Sequence, residues 1–474
     1  MNSLKLKSIF LGVNKVIILS SNILLLMILS RGLSINEYGE YRLLTTYLLI
    51  LNTILTFGIP SAIMYFLNKN NNAFLNELLF LTTMISFVSP VVYTIFLLLI
   101  GDYSLSLMMV LILVFLLNLL SLWQDNFYII YDKIRLLFSS NVSANGFLIC
   151  SIAIGTYFFN WDLKEVFIAL LIRELIKLIY FFIFLISVKK DLKIQINKSD
   201  LNTIIAFIMP LFIASLVTVV NMNIDKIYGS IFFTKKEFAF LANASYEIPI
   251  MSLLGYAVFN TLIPKIKNLQ HNKREVTILW NRVGEIMIVI IFSIIIPLIF
   301  FSKETLSILF SEEYEAAYLI FIMYQLSALS RIYIYSTIFL ALEKNKVYLM
   351  NTVINLIVNS ILIVFFGWIF GIYGVALAML LTNISLMIRQ NTQLKKYLDC
   401  SILEIYPLKK FLQALLIGSI ISGSIFIIYK LLYSYDPLTS LIFIFINVIL
   451  LFIVYSFAIN KEIVEFLWRV LVKK

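Results

Sequence analysis

The chain of 474 residues is 61% hydrophobic and only 13% charged, with a formal net charge of +11. Ordinary soluble domains run at roughly 45–50% apolar and about 25% charged, so this composition excludes most soluble chemistry. The excess positive charge does not indicate nucleic acid, because its placement along the chain follows the pattern of membrane orientation.

A helix needs roughly 20 apolar residues to cross the hydrocarbon, and fourteen stretches qualify. Six predicted spans form a first block: 11–30, 43–67, 78–100, 105–131, 142–159 and 166–188. After a Lys-rich linker at 189–203 comes a second block: 204–224, 238–263, 283–301, 318–342, 347–370 and 375–395. Two more, 411–432 and 438–459, close the chain. The runs lack the strict polar alternation of a barrel strand and read as helices. The expected fold class is therefore an all-α polytopic membrane protein with 14 transmembrane helices: a first lobe over 1–192, a linker and second lobe over 193–398, and two further helices with a tail over 399–474. The first span follows Lys5 and Lys7 as a signal peptide would, yet it has no A-x-A cleavage pattern and is read as a retained helix.

The connections that alternate with the N-terminus hold most of the Lys and Arg, among them Lys133 with Arg135, Lys189 with Lys190, and Lys273 with Arg274. The bias of basic residues toward cytoplasmic loops then places both termini in the cytoplasm. Cys150 lies in a span and Cys400 in a connection, so no disulfide is expected. The single histidine, His271, is expected to be solvated, and no G-x-x-x-x-G-K-[ST] phosphate loop occurs. No cofactor or metal is expected.

The two blocks resemble each other internally. Glu37-Tyr38-Gly39 follows the first span of one block, and Glu237-Phe238-Ala239 stands 200 residues later in the other. Asp132-Lys133-Ile134-Arg135 after the fourth span matches Glu343-Lys344-Asn345-Lys346, 211 residues on. Because each block has an even number of spans, both begin on the same side, and the repeat axis is expected along the membrane normal.

Polar residues inside the spans recur at helical spacing. Thr45, Asn52, Thr53 and Thr56 form one stripe; Asn221 and Asp225 are i, i+4, as are Asn243 and Glu247; the first span adds Asn14 and Asn22. A charge at the centre of a lipid-facing helix costs about 2.5–3.5 kcal/mol on insertion scales, so such residues face a cavity or a partner. Single Asn and Thr residues serve more often to join helices. Asp225 and Glu247 are read as ion-coupling candidates, with a salt bridge to Lys226 as the competing role of Asp225. Asn22, Asn52, Asn221, Asn243 and Tyr246 are candidates to line a polar cavity, with Tyr335 near it. Arg31, Arg42, Arg173, Lys177, Lys226 and Arg331 are the cations suited to an anion there. For Arg31 and Arg42 the alternative is snorkelling to headgroups, and for Arg173 and Lys177 it is pairing with Glu174.

Arg31-Gly32-Leu33-Ser34, Glu37-Tyr38-Gly39-Glu40-Tyr41, Gly58-Ile59-Pro60-Ser61-Ala62, Asn223-Ile224-Asp225-Lys226, and Leu309-Phe310 with Glu313-Tyr314 occur in this order over nearly the whole chain. In that order and spacing the chain resembles the oligosaccharide flippases of bacterial polysaccharide export, in the multidrug/oligosaccharidyl-lipid/polysaccharide exporter superfamily. The second block departs from the family pattern at Glu237-Phe238-Ala239, where a glycine with a nearby tyrosine is usual. The resemblance implies two six-helix lobes around a V-shaped cavity and a site in the bacterial cytoplasmic membrane. It also implies alternating access for undecaprenyl-diphosphate-linked sugar repeat units of O-antigen, capsule or related polymers, with Arg31, Arg42, Arg173, Lys177, Lys226 and Arg331 as the candidates to bind the diphosphate and Tyr246 and Tyr335 to stack on sugars. Expected partners are the lipid-linked oligosaccharide, the bilayer, a polysaccharide polymerase and a chain-length regulator, and no nucleic acid. The rival readings are a drug or metabolite exporter of the same superfamily and a polysaccharide polymerase. The longest outer connection, 302–317, carries Glu304, Glu312, Glu313 and Glu315 but no general-base histidine.

Overall fold

The computed structural model describes residues 2–67, 74–188, 197–246, 249–269, 271–433 and 436–460. Among them every regular element is a helix. The chain divides into two compact units, Met1–Asn223 and Ile224–Lys474.

The first unit holds α1 (Asn2–Gly32), α2 (Ile35–Leu55), α3 (Ile59–Phe66), α4 (Leu75–Ile100), α5 (Leu105–Ile130), α6 (Ile134–Phe158), α7 (Leu163–Val188) and the larger part of α8 (Lys198–Phe232). The predicted second span is bent by 46° between α2 and α3. Phe57 (φ 51°) and Gly58 (φ 72°) are consecutive left-handed residues that end one helix, and Pro60 opens the next, where its missing N–H costs nothing. α3 then packs Ile59, Ala62 and Ile63 against Leu78 of α4, Leu119, Trp123 and Phe127 of α5, and Ile204 and Ile208 of α8.

The second unit contains α9 (Lys235–Ala244), α10 (Pro249–Leu269), α11 (Lys273–Phe300), α12 (Ser302–Leu309), a 3₁₀ turn (Glu312–Ala317), α13 (Tyr318–Leu329), α14 (Tyr335–Ala341), α15 (Asn345–Leu398), α16 (Ile402–Ile405), α17 (Leu408–Leu432) and α18 (Pro437–Ala458). Its axis is α11, whose side chains from Val276 to Leu298 are largely buried by its neighbours. Trp280 stacks on Tyr333 at 4.5 Å with the rings 11° apart. The Tyr333 hydroxyl donates to the carbonyls of Trp280 and Ile405, both at 3.2 Å. Gly284 permits this approach, since a Cβ there would stand 1.9 Å from the tyrosine oxygen.

Each of the fourteen predicted spans falls on helix. By length and apolarity alone, nine helices among the described residues pass as spans, or ten with the bent α2/α3 pair. The difference has local causes. α7 carries Arg173, Glu174 and Lys177 in its middle. The predicted spans 238–263 and 318–342 are not continuous: α9 ends at Ala244 before Pro249 starts α10, and α13 ends before Arg331 to Ile334 redirect the chain so that Tyr333 enters the α11 core. The spans 347–370 and 375–395 are joined in α15 across Gly371, whose φ of 58° and ψ of −139° break the helical path.

The two motifs matched between the blocks form the same local bonds. Ser34 and Thr234 each cap a helix, accepting from the backbone N–H of Glu37 and Glu237, whose carboxylates return to the cap N–H. After α5 and α14, Asp132 (φ 58°) and Glu343 (φ 59°) are left-handed. The next N–H then reaches back five residues, from Lys133 to Tyr128 O at 2.8 Å and from Lys344 to Phe339 O at 2.7 Å, the closure of a Schellman-type helix end. The acidic residues matched in sequence therefore occupy equivalent backbone sites.

Three substitutions, two in the second unit and a control at Gly146 of α6, test which glycines shape the structure. Gly284→Ala should destabilise the detergent-solubilised protein by about 1–3 kcal/mol through overpacking against Tyr333, whereas Gly146→Ala, with open space around it, should leave the unfolding temperature unchanged or raise it. At Gly371 nothing crowds a Cβ, so Gly371→Ala should cost about 1–3 kcal/mol through its backbone conformation alone. Thermal unfolding of the three variants reads these differences, and an unshifted Gly284→Ala would contradict the packing described.

Candidate functional site

In the first unit the polar residues of four helices meet in a chain of hydrogen bonds. Asn52 of α2 is 1% exposed. Its Nδ2 donates to Asn118 Oδ1 of α5 at 2.9 Å and to the Phe115 carbonyl at 3.2 Å, and its Oδ1 accepts from the Tyr93 hydroxyl of α4 at 2.5 Å. Asn118 Nδ2 passes the chain on to Glu174 Oε1 of α7 at 3.3 Å. That same oxygen lies 3.3 Å from Arg173 Nη1, and the side chains are 1% and 16% exposed respectively. Lys177 and Asp125 stand close enough to act electrostatically on both partners. Two carboxylates and two cations thus balance within apolar surroundings, the arrangement that burial of charge requires.

The other predicted positions of this unit are dispersed. Arg31 is exposed and its Nη1 donates to the Met27 carbonyl at 3.0 Å. Arg42 and Asn221 are half-buried, and Asn22 is exposed. Asn14 is buried and accepts from Asn141 Nδ2 at 3.3 Å, a link between α1 and α6. Thr45, Thr53 and Thr56 donate to carbonyls of their own helix, so of that stripe Asn52 alone joins the network.

The second unit repeats the motif with different residues. Asp225 is fully buried; its Oδ2 accepts from the Tyr324 hydroxyl of α13 and lies 3.5 Å from Lys226 Nζ, while its Oδ1 has no hydrogen-bond partner. Asn243 is buried in α9, Tyr246 is half-buried just beyond it, and Arg331 is exposed where α13 has ended. Glu247 lies outside the described residues. Tyr335 sits in the aromatic core beside Trp280 and Tyr333, accepting from Asn391 Nδ2 at 2.7 Å, and is not placed to stack on a sugar. Glu304 of the acidic connection 302–317 is 3% exposed and paired with Lys430 of α17 at 2.6 Å, which gives it a structural role.

A third set was not singled out in the sequence. Asn351, Asn355 and Asn359 follow each other at four-residue spacing on α15 and are all buried. Asn351 exchanges bonds with Gln393, and Asn359 accepts from Thr382 at 3.2 Å. Arg389 on the same helix keeps Nη1 buried without a hydrogen-bond partner. The four-residue spacing that marked Asn221 and Asp225 marks these asparagines equally.

The family described as "Polysaccharide biosynthesis protein" matches residues 28–319. No curated protein sequence matches the chain. Among solved structures it is similar to the lipid II flippase MurJ in an inward closed conformation, with 19% identity, 97% of this chain and 99% of that one covered, and a TM-score of 0.72. A multidrug resistance MATE family transporter of the MOP superfamily, inward-facing, is similar at 12% identity over 80% of this chain and 95% of that one, with a TM-score of 0.61. A MOP superfamily transporter from Pyrococcus furiosus follows at 13% identity, 83% and 95% coverage, and a TM-score of 0.54. At these identities the likeness is one of fold. With more than half of its length inside the family match, the chain belongs to the polysaccharide biosynthesis protein family, as a multi-pass membrane protein on the all-helical fold of the MOP transporters.

Proposed function

We propose that this protein flips undecaprenyl-diphosphate-linked oligosaccharide repeat units from the inner to the outer leaflet of a bacterial cytoplasmic membrane, by alternating access, with the membrane potential driving the anion outward and a proton gating its hold on the protein. The observation that carries the reading is the pair of adjacent carboxylate and cation buried in apolar helices of each unit, Glu174 with Arg173 and Asp225 with Lys226.

A diphosphate is a natural competitor for such cations, since guanidinium forks and ammonium groups bind phosphate oxygens well. While Glu174 and Asp225 are ionised they hold Arg173 and Lys226. Protonation of a carboxylate removes its claim on the cation and releases it to the headgroup. Return of the proton to solvent restores the pair and expels the diphosphate. Lower pH on the side of loading therefore favours binding, and higher pH on the side of release favours departure. Arg31, Arg42, Lys177 and Arg331 are further cations whose chemistry suits a diphosphate, and Asn22, Asn221, Asn243 and Tyr246 have side chains that suit a sugar. Asn52 serves by fixing Asn118 and so the Glu174 carboxylate. No nucleotide is needed: an inside-negative potential already contributes about 2.3 kcal/mol per charge per 100 mV to outward movement of the anion.

Glu174→Gln keeps an acceptor for Asn118 while mimicking the protonated acid. In proteoliposomes loaded with a fluorescent lipid-linked oligosaccharide, this variant should bind the diphosphate more tightly yet lose the acceleration that a pH gradient gives the wild type. Asp225→Asn should behave alike. Flipping by both variants that remains as fast and as gradient-sensitive as wild type would remove these carboxylates from the mechanism, and transport of small organic cations without the lipid-linked sugar would replace the reading by a drug exporter.

A further inference from the structure

The second unit contains a cavity of about 890 Å³ at the end of α11 that begins with Lys273, closed by the C-terminal end of α15 and by α16. Its wall presents Arg274, Ile278 and Arg282 at four-residue spacing on one helix face. All three are exposed, and Ile278 is 56% exposed although it lies between two arginines. None of the three belongs to the polar networks of Glu174 or Asp225.

The acidic groups of the same wall are committed to the protein. Asp399 is ion-paired with Lys273. Glu404 accepts from the Ser401 backbone N–H at 2.6 Å and its hydroxyl at 2.8 Å, and those bonds hold its carboxyl below the usual carboxylate range. Glu285 accepts from Asn460 Nδ2 at 3.2 Å. Burial pushes the Cys400 thiol up, away from the thiolate form that makes a reactive cysteine.

Depth along the helix identifies what such a wall meets. α11 has 28 residues, which at 1.5 Å per residue is about 42 Å, or about 12 Å more than the hydrocarbon layer. The step from Arg274 to Arg282 is also about 12 Å. If that excess lies at the end that begins with Lys273, the segment from Arg274 to Arg282 lies in the headgroup zone, Arg274 outermost and Arg282 innermost. We infer that this cavity binds the phosphate of an anionic bilayer phospholipid, with Arg274 and Arg282 reaching it from either side along the helix and Ile278 between them against the lipid's apolar part. The site joins α11, α15 and α16, so an occupied pocket ties the end of α15 to the core helix.

The test uses the full-length protein in a neutral detergent, titrated with phosphatidylglycerol, phosphatidylcholine or inorganic phosphate, with binding followed by native mass spectrometry and by thermal unfolding. Wild type should retain phosphatidylglycerol and unfold at a higher temperature with it, while phosphatidylcholine and inorganic phosphate have little effect. Arg274→Gln/Arg282→Gln should bind phosphatidylglycerol about tenfold or more weakly. Lys395→Gln/Lys396→Gln, which removes the same charge outside the cavity, should bind as wild type does. The rise in unfolding temperature is read for each variant against its own lipid-free value. Undiminished phosphatidylglycerol binding by the double variant would overturn the site, as would equal loss in the lysine control. Protection by inorganic phosphate as strong as by the lipid would overturn the assignment to a lipid.

Discussion

An ionised carboxylate inside an apolar helix is stable only if a cation and hydrogen-bond donors are built around it. In each unit of this protein that requirement is met in the same way. The neighbouring residue in sequence supplies the cation, and a side chain from another helix supplies the donor: Arg173 and Asn118 for Glu174, Lys226 and Tyr324 for Asp225. Removing one member of a buried pair typically costs about 3–5 kcal/mol because the other is left uncompensated. The pairs therefore fix how α5 meets α7 and how α13 meets the end of α8, while leaving a charge that a proton can neutralise.

The remaining architecture gives these pairs a stiff setting. Matching caps at Ser34 and Thr234 and matching left-handed stops at Asp132 and Glu343 set helix boundaries in equivalent places. The breaks are equally local. Phe57 and Gly58 separate α2 from α3, Gly371 interrupts α15, and the segment after α13 turns Tyr333 onto Trp280. Adjacent sequence neighbours that form an ion pair cannot be pulled apart by sliding helices, so each carboxylate keeps its cation when the helices around it shift.

Much of this was legible in the sequence because its causes are local. Hydropathy located helix within the predicted spans, and short acidic motifs marked the matching cap and stop, since a capping box and a helix stop each depend on a few neighbouring residues. The pairing of Arg173 with Glu174 and of Lys226 with Asp225 could be read as an alternative from adjacency alone. Continuity was not legible. Hydropathy does not register that Pro249 opens a new helix or that Arg331 to Ile334 leave helical geometry, because an apolar run looks the same straight or broken. Nor could spacing tell which polar residue bridges to another helix. Asn52 joins three helices, whereas Thr53 on the same stripe bonds its own turn, and only packing decides between them. The asparagine ladder of α15 carries the same signal as the residues chosen, but without a charge to draw attention to it.

The account rests on a proton and the diphosphate arriving together at these buried pairs. Calorimetric titration of the purified protein with undecaprenyl diphosphate, repeated in buffers of different ionisation enthalpy, counts the protons that accompany binding. Net uptake of protons on binding, abolished in the Glu174→Gln/Asp225→Asn double variant, is the predicted result. Binding of the same affinity with no proton uptake by the wild type would contradict it.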